Sequence, residues 1–266
     1  MKSYLPTKNI YLSKSKSNHY IKNKVREKFK DLENSKRILL KKINYKKNKI
    51  LDVGCATGGM FSALKNKFGS INYTGIDIDS RCINNAKTRF SGAKFYKMDL
   101  FDKKLKNNFY DIVMMWNWTY MYPDWKKLFY QAIKLSKKFI MFDNRLRLNG
   151  PTITDIDLSY QYYHKSNKRN FYINHNLYEL ISFFQIGELN IKTINIYGYH
   201  LPGETSARLP LPISEVLIGG VLLEKYPNNF KIKRYGVTPE STKQSWTKIN
   251  IQVPGYKKLL TKYQKI

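Results

Sequence analysis

Lys49-Ile50-Leu51-Asp52-Val53-Gly54-Cys55-Ala56-Thr57-Gly58-Gly59-Met60 decides the fold. Ile50, Leu51 and Val53 are the apolar residues a buried central strand needs. Gly54 lets the backbone turn where a Cβ would clash, and Gly58 and Gly59 let another molecule approach the main chain. Phe61, Leu64 and Phe68 then recur at i, i+3 and i+7, one face of a helix. The product is a set of free backbone N–H groups at a helix start, beside the carboxylate of Asp52 at the strand tip. An acid there would repel a pyrophosphate, which counts against a nicotinamide dehydrogenase. It suits a ligand with positive charge, such as an ammonium or a sulfonium.

Outward from this turn, strands and helices alternate, which predicts an α/β sheet. Ile71–Asp79 reads as a second strand ending in acids. Asp77 lies about twenty residues past the glycine turn, where a carboxylate can accept hydrogen bonds from both hydroxyls of a ribose. Asp79 or Ser80 caps the next helix, whose pattern begins with Ile83, Ala86 and Phe90. Ala93–Met98 is a short third strand closed by Asp99 and Leu100. Tyr110–Trp116 is a continuous apolar run, as a strand buried on both faces requires. After it, Asn117–Asp124 is rich in aromatics and stands where open α/β sheets bind ligands. Asp124 caps a helix carrying Trp125, Leu128, Phe129, Ala132 and Ile133 on one face.

A fifth strand is predicted over Lys138–Asp143, with Arg145 and Arg147 emerging near a substrate mouth, where two arginines could clamp a phosphate or carboxylate. Leu148–His175 has no clear repeat, and long irregular segments in compact domains are often functional. A helix near Asn176–Phe184, a sixth strand over Ile191–Tyr199 and a proline-framed loop over Leu201–Pro212 follow. Glu215–Lys225 reads as a seventh strand whose Gly219-Gly220 pair marks a bulge or a close backbone approach. Upstream, Ile21, Val25, Phe29 and Leu32, then Leu39 and Ile43, predict one or two basic amphipathic helices between Tyr20 and Tyr45. Their lysine face is either plainly solvated or an anion-binding surface.

The ordered set Asp52 to Gly58, Asp77 and Asp99 resembles class I S-adenosylmethionine-dependent methyltransferases, whose first motif runs D-x-G-x-x-x-G. The resemblance covers roughly residues 48–226. Ala56 stands where many members have a second glycine, and alanine still leaves room beside the methionine part of the cofactor. The resemblance implies a Rossmann-like fold, with a seven-stranded mixed, mostly parallel sheet, helices on both faces and a final antiparallel strand. It implies S-adenosyl-L-methionine as cofactor, held by Asp52, Gly54, Cys55, Ala56, Gly58, Asp77, Ile78, Asp99, Leu100 and Trp116. Asp99 would meet the adenine amino group, and Leu100 would pack on the ring. It also implies that a helix before the first strand covers the pocket, and that lid elements are inserted at about 148–175 and 200–214. The expected organisation is a basic helical segment over 1–47, a methyltransferase domain over 48–226 and a basic extension over 227–266. The segment after the fourth strand lacks the Asn-Pro-Pro-Tyr-type motif of many base N-methyltransferases.

Composition narrows the partners. The chain has 266 residues, 42% of them hydrophobic, enough for one core with embellishments. Forty-eight Lys and Arg face 19 Asp and Glu, a net charge of +29 that attracts phosphates, nucleic acid or an anionic surface. Cys55 and Cys82 form no disulfide framework, and the four histidines lack metal-ligand spacing, so no metal is expected. No apolar run reaches the roughly twenty residues of a bilayer span, and the N-terminus has no signal-peptide core, so a cytoplasmic location is expected.

The leading expectation is a stand-alone methyltransferase acting on a small anionic acceptor: phosphorylated, nucleotide-linked or part of a glycan. Asn117, Arg145, Arg147 and Arg208 are its candidate binding residues. His164, His175 and Tyr120 are candidate general bases, with His200 and Asp143 behind them. The alternatives are an RNA methyltransferase, favoured by the charge, and a basic interaction protein that keeps the fold without catalysis.

Overall fold

The computed structural model describes residues 20–22, 27–162, 169–201, 207–210, 215–227 and 247–254. Twelve strands are present among them: β1 (Lys49–Val53), β2 (Asn72–Asp77), β3 (Lys94–Lys97), β4 (Tyr110–Met115), β5 (Ser136–Arg147), β6 (Tyr160–Tyr162), β7 (Arg169–Phe171), β8 (Asn174–Asn176), β9 (Ile191–His200), β10 (Ala207–Arg208), β11 (Leu217–Lys225) and β12 (Lys248–Gln252). The helices are α1 (Asn34–Leu40), α2 (Gly59–Phe68), α3 (Ser80–Arg89), α4 (Trp125–Leu135) and α5 (Leu177–Phe184).

The main sheet has the order β12-β9-β11-β5-β4-β1-β2-β3, with β8 joined to the end of β5. β1 pairs in parallel with β2 and β4, and β4 with β5. β11 is antiparallel to both of its neighbours, β5 and β9. This is the Rossmann-like sheet the sequence predicts, with nine strands instead of seven. β8 has a geometric cause. β4 ends at Met115, opposite Phe142, so the last residues of β5 have an open edge on that side. β8 fills it, pairing Arg145, Leu146 and Arg147 with Asn174, His175 and Asn176. β5 is accordingly longer than Lys138–Asp143, because β11 pairs it out to Leu146 and β8 out to Arg147. β12 covers the outer edge of β9 in parallel.

Side chains alternate across the sheet and define its two faces. On one face Ile50, Ile112 and Met114 meet α1, α2 and α3 through Leu39, Leu40, Phe61, Leu64, Ile83 and Ala86. On the other, Leu51, Val113 and Phe142 meet α4 and α5 through Leu128, Phe129, Leu180 and Phe184. Local signals set the helix starts. Asp79 accepts the Arg81 amide at 2.9 Å, Asp124 that of Lys127 at 3.3 Å, and Asn176 those of Tyr178 and Glu179. Upstream of β1 the chain makes a 3-10 turn over Phe29–Asp31 and the short α1. Gly220 of β11 gives α1 its seat: a Cβ there would stand 3.0 Å from Leu39 and 3.2 Å from Ser35. No bulge interrupts Gly219-Gly220, and the one register shift against β9 falls at Glu224/Lys225.

The two segments expected to be lids join one another. β10 pairs with β6, and β6 with β7, in a three-stranded sheet. No helix among the described residues is long and apolar enough to cross a membrane.

His175 is sealed in the α4–α5 layer. It is fully buried, with its ring 5.2 Å from Trp125 and 6.3 Å from Phe129. Neither ring nitrogen has a hydrogen-bond partner, and burial pushes its pKa down to about 3. The unfolded chain therefore binds a proton below about pH 6.5 that the folded chain refuses until about pH 3, so stability falls with pH through that window. Acidifying from pH 7 to 5 is expected to cost about 2 kcal/mol through this residue alone. His175→Leu should remove that part of the slope in urea titrations at the two pH values; an unchanged slope would assign the loss elsewhere.

Candidate active site

The parallel strands β1, β2 and β4 end together, and the turn between β1 and α2 crosses their tips. Gly54, Ala56 and Gly58 all have positive φ, at 76°, 47° and 79°. For Ala56 this left-handed backbone is a cost a glycine would not carry. It is held there by its amide, which donates to Asp77 Oδ2 at 2.9 Å. The other Asp77 oxygen takes the Asp79 amide at 2.9 Å. The carboxylate is thus fixed by two backbone donors, and its lone pairs can still accept two hydroxyls.

Trp118, which sequence reading passed over, closes the other side of this turn. Its Nε1 donates to the Val53 carbonyl at 2.8 Å. A Cβ on Gly54 would fall 2.7 Å from that nitrogen, so glycine is required by contact as well as by φ.

Asp52 stands inside the fold and not at the open mouth of the turn. It is 3% exposed and accepts the hydroxyl of the buried Tyr73. The cause is strand alternation, which turns Asp52 to the face where β2 places Tyr73. Its charge is still felt. The Cys55 thiol is pushed well up, first by burial and then by Asp77 and Asp52. The turn therefore lies in a negative field, unsuited to a pyrophosphate and suited to a sulfonium. Ile78 is half-buried beside Asp77. Asp99 is exposed after β3, with Oδ1 accepting the Phe101 amide at 2.7 Å, and Leu100 is buried next to it.

Next to the turn, the ends of β4 and β5 carry a polar cluster. Asn117 has φ 64°, and its amide donates to Asp143 Oδ1. Lys36 reaches in from α1, 1% exposed, and donates to Asn117 Oδ1 at 2.6 Å. It pairs with Glu33 at 3.0 Å, with Asp143 at 3.7 Å, and lies 5.4 Å over the Trp116 ring. The Arg145 guanidinium stacks 4.1 Å over Tyr120, donates to the Tyr172 hydroxyl at 2.9 Å and reaches Asp143 at 3.7 Å. Burial works against its charge, yet Tyr120, Tyr172 and Asp143 hold its pKa above the ordinary value. Trp116 Nε1, Asn117 Nδ2, Asn144 Nδ2 and Arg145 Nη1 are buried here without a hydrogen-bond partner among the described residues. Buried donors left open in this way, grouped at strand tips, are what a ligand would satisfy.

The remaining candidates lie elsewhere. Tyr120 is buried and its pKa is pushed up to about 12, mainly by burial, so it stays protonated and cannot serve as a base at neutral pH. His175 is in the core as described, out of reach of an acceptor. His200 is exposed at the end of β9. Arg147 folds back on its own loop, donating to the Pro151 carbonyl at 3.3 Å, and so does not form a clamp with Arg145. Arg208 is exposed on β10, opposite Tyr160. His164 lies outside the described residues, and among those described no group of acids, histidines and cysteines could hold a metal ion.

Residues 50–138, about a third of the chain, match the family model of the methyltransferase domain. Solved structures share the fold. A methyltransferase from Methanosarcina mazei is 18% identical over 71% of this chain and 96% of its own, with a TM-score of 0.51. Magnesium protoporphyrin IX methyltransferase from Synechocystis PCC 6803, solved with S-adenosylmethionine bound, is 14% identical over 82% and 94%, also at 0.51. Phosphoethanolamine N-methyltransferase 2 from Haemonchus contortus, solved with phosphomonomethylethanolamine and S-adenosylhomocysteine, is 12% identical over 74% and 53%, again at 0.51. No curated protein matches the chain. The chain carries a class I methyltransferase domain. Its sheet is the fold of solved S-adenosylmethionine-dependent methyltransferases, some of them solved with S-adenosylmethionine or S-adenosylhomocysteine bound.

The Asp77 geometry makes a direct expectation. If Asp77 accepts the two ribose hydroxyls, Asp77→Ala removes that acceptor and frees the Ala56 amide from its anchor. Hydrogen bonds to a charged group are worth about 1.5–3 kcal/mol each, so affinity for S-adenosylhomocysteine should fall at least about a hundredfold by calorimetry. Unchanged affinity would remove Asp77 from the cofactor site.

Proposed function

We propose that the chain methylates a small anionic acceptor seated at the ends of β4 and β5. Arg145 carries this reading. Its guanidinium is oriented by Tyr120 and Tyr172, and Nη1 has no hydrogen-bond partner. A planar guanidinium held between two rings is pre-organised for a carboxylate or phosphate. The phosphate-bearing ligand of the Haemonchus contortus enzyme has the same chemistry on the same fold. The surplus of Lys and Arg supports the reading by drawing anions toward the surface.

The cofactor supplies an electrophilic methyl and a good thioether leaving group. The chain's residues then have two tasks, alignment and exclusion of water. Asp77 and the Gly54–Gly58 turn hold the ribose and amino-acid parts, and Trp118 closes over the turn. Arg145 fixes the acceptor's anionic group, so its nucleophilic atom meets the methyl in line. Such positioning is worth on the order of 7–11 kcal/mol. With Tyr120 locked as a phenol and His175 in the core, neither can take a proton from the acceptor. An acceptor that arrives ionised at the reacting oxygen needs no base, which fits a carboxylate or phosphate.

The test is transfer of labelled methyl from S-adenosylmethionine into a cell extract divided into RNA, protein and small-molecule or glycan fractions. Ribonuclease-resistant label that binds an anion exchanger is expected in the last fraction. Arg145→Met should lower kcat/KM for that acceptor by about a hundredfold, while S-adenosylhomocysteine affinity stays unchanged. Label lost on ribonuclease treatment would instead make RNA the acceptor, with the basic surface as its binding face.

A further inference from the structure

The amino-acid end of the cofactor is zwitterionic, and the turn that faces it is not neutral. The carboxylates of Asp52 and Asp77 both stand at this turn, Asp77 holding the Ala56 amide and Asp52 the Tyr73 hydroxyl. Their field suits the ammonium and repels the carboxylate. A carboxylate beside it needs hydrogen-bond donors from outside the turn.

α1 sets the direction of one such donor. The Lys36 ammonium is 1% exposed and surrounded by Asn117 Oδ1 at 2.6 Å, Glu33 Oε2 at 3.0 Å and Asp143 Oδ2 at 3.7 Å. An ammonium can only donate, so it dictates which way the Asn117 amide is turned: Oδ1 toward Lys36 and Nδ2 away. The Asn117 backbone is fixed as well, by its amide bond to Asp143. Nδ2 is left as a buried donor with no partner in the protein. Leaving such a donor open is costly, and a ligand oxygen would satisfy it. Asn117 lies two residues beyond β4, between the β1 turn and Asp143, and Trp118 next to it already bonds to Val53. The open donor thus stands at the seam between cofactor turn and acceptor cluster.

We propose that Lys36 is a positioning residue for the cofactor. It locks the Asn117 amide so that Nδ2 donates to the carboxylate of the amino-acid end. Lys36 acts through Asn117, and α1 becomes part of the binding site by way of one buried side chain. The proposal rests on reading the β1–α2 turn as the cofactor site.

The probes are S-adenosylhomocysteine, which has the amino-acid end, and 5′-methylthioadenosine, which lacks it, each titrated calorimetrically into the full chain. Lys36→Met should weaken S-adenosylhomocysteine about tenfold or more and leave 5′-methylthioadenosine unchanged. Asn117→Asp keeps an oxygen for Lys36 but loses the Nδ2 donor, and it should show the same selective loss. The double variant should be no weaker than the weaker single, because the two residues act as one unit. Equal loss for both probes would mean that Lys36 only supports the fold. Unchanged S-adenosylhomocysteine affinity, or additive losses in the double variant, would also overturn the proposal. Asp77→Ala separates the two levels: if it leaves both probes unaffected, the cofactor site itself is misplaced and the Lys36 role falls with it.

Discussion

Parallel pairing of β1 between β2 and β4 is the constraint everything else depends on. Parallel strands must begin at one side of the sheet and end at the other. Three chain reversals therefore meet on one rim: Gly54–Gly58, Asp77–Asp79 and Asn117–Tyr122. Each leaves backbone N–H groups without ladder partners, and each is tied to a carboxylate in this structure. Asp77 takes the amides of Ala56 and Asp79, and Asp143 takes that of Asn117. The rim is built from the same acids that satisfy the backbone. That is why it carries a negative field even with Asp52 buried under Tyr73.

Beside this negative rim lies a balanced cluster. Lys36 and Arg145 carry two positive charges, and Glu33 and Asp143 two negative ones, all linked within 3.7 Å of a neighbour. Buried ions cost several kcal/mol each to desolvate, which pairing and hydrogen bonds must offset. On α1 the two fully buried leucines, Leu39 and Leu40, each contribute roughly 1.5–3 kcal/mol toward docking, of the same order as the cost of sinking Lys36. The gap that Gly220 leaves in β11 makes this possible. Arg145 is stiffened differently, by aromatic rings instead of apolar burial. The end of the cluster at Arg145 is therefore held rigid by rings, and the end at the β1 turn is packed by a helix anchored through one lysine.

Much of the framework was legible from local signals. Apolar runs located the seven strands of the family sheet, and Asp79, Asp124 and Asn176 marked helix starts within a residue. Asp77 could be singled out because its distance from the glycine turn follows from the length of one helix and one strand. The misreadings share a cause. His175 looked like a titratable residue in an irregular segment, but β8 zips that segment onto β5 and seals the ring behind Trp125. Arg147 looked like the twin of Arg145, until the loop at Gly150 and Pro151 captured it. Lys36 could not be told from its neighbours on the basic helix, whose lysine face was open between solvated and anion-binding. Trp118 drew attention only as part of an aromatic stretch.

The sequence by itself determined the α/β alternation, the glycine-rich turn and the acids that flank it. These depend on residues within one strand–turn–helix unit, where spacing along the chain is nearly spacing in space. The tertiary structure decided which polar groups meet: Lys36 with Asn117 across 81 positions, Trp118 with Val53 across 65, Arg145 with Tyr172 across 27. Such contacts depend on sheet order, on where β4 stops short of β5 and on how α1 seats against Gly220. None of these leaves a periodic trace in the sequence, because each is set by the packing of elements far apart in the chain.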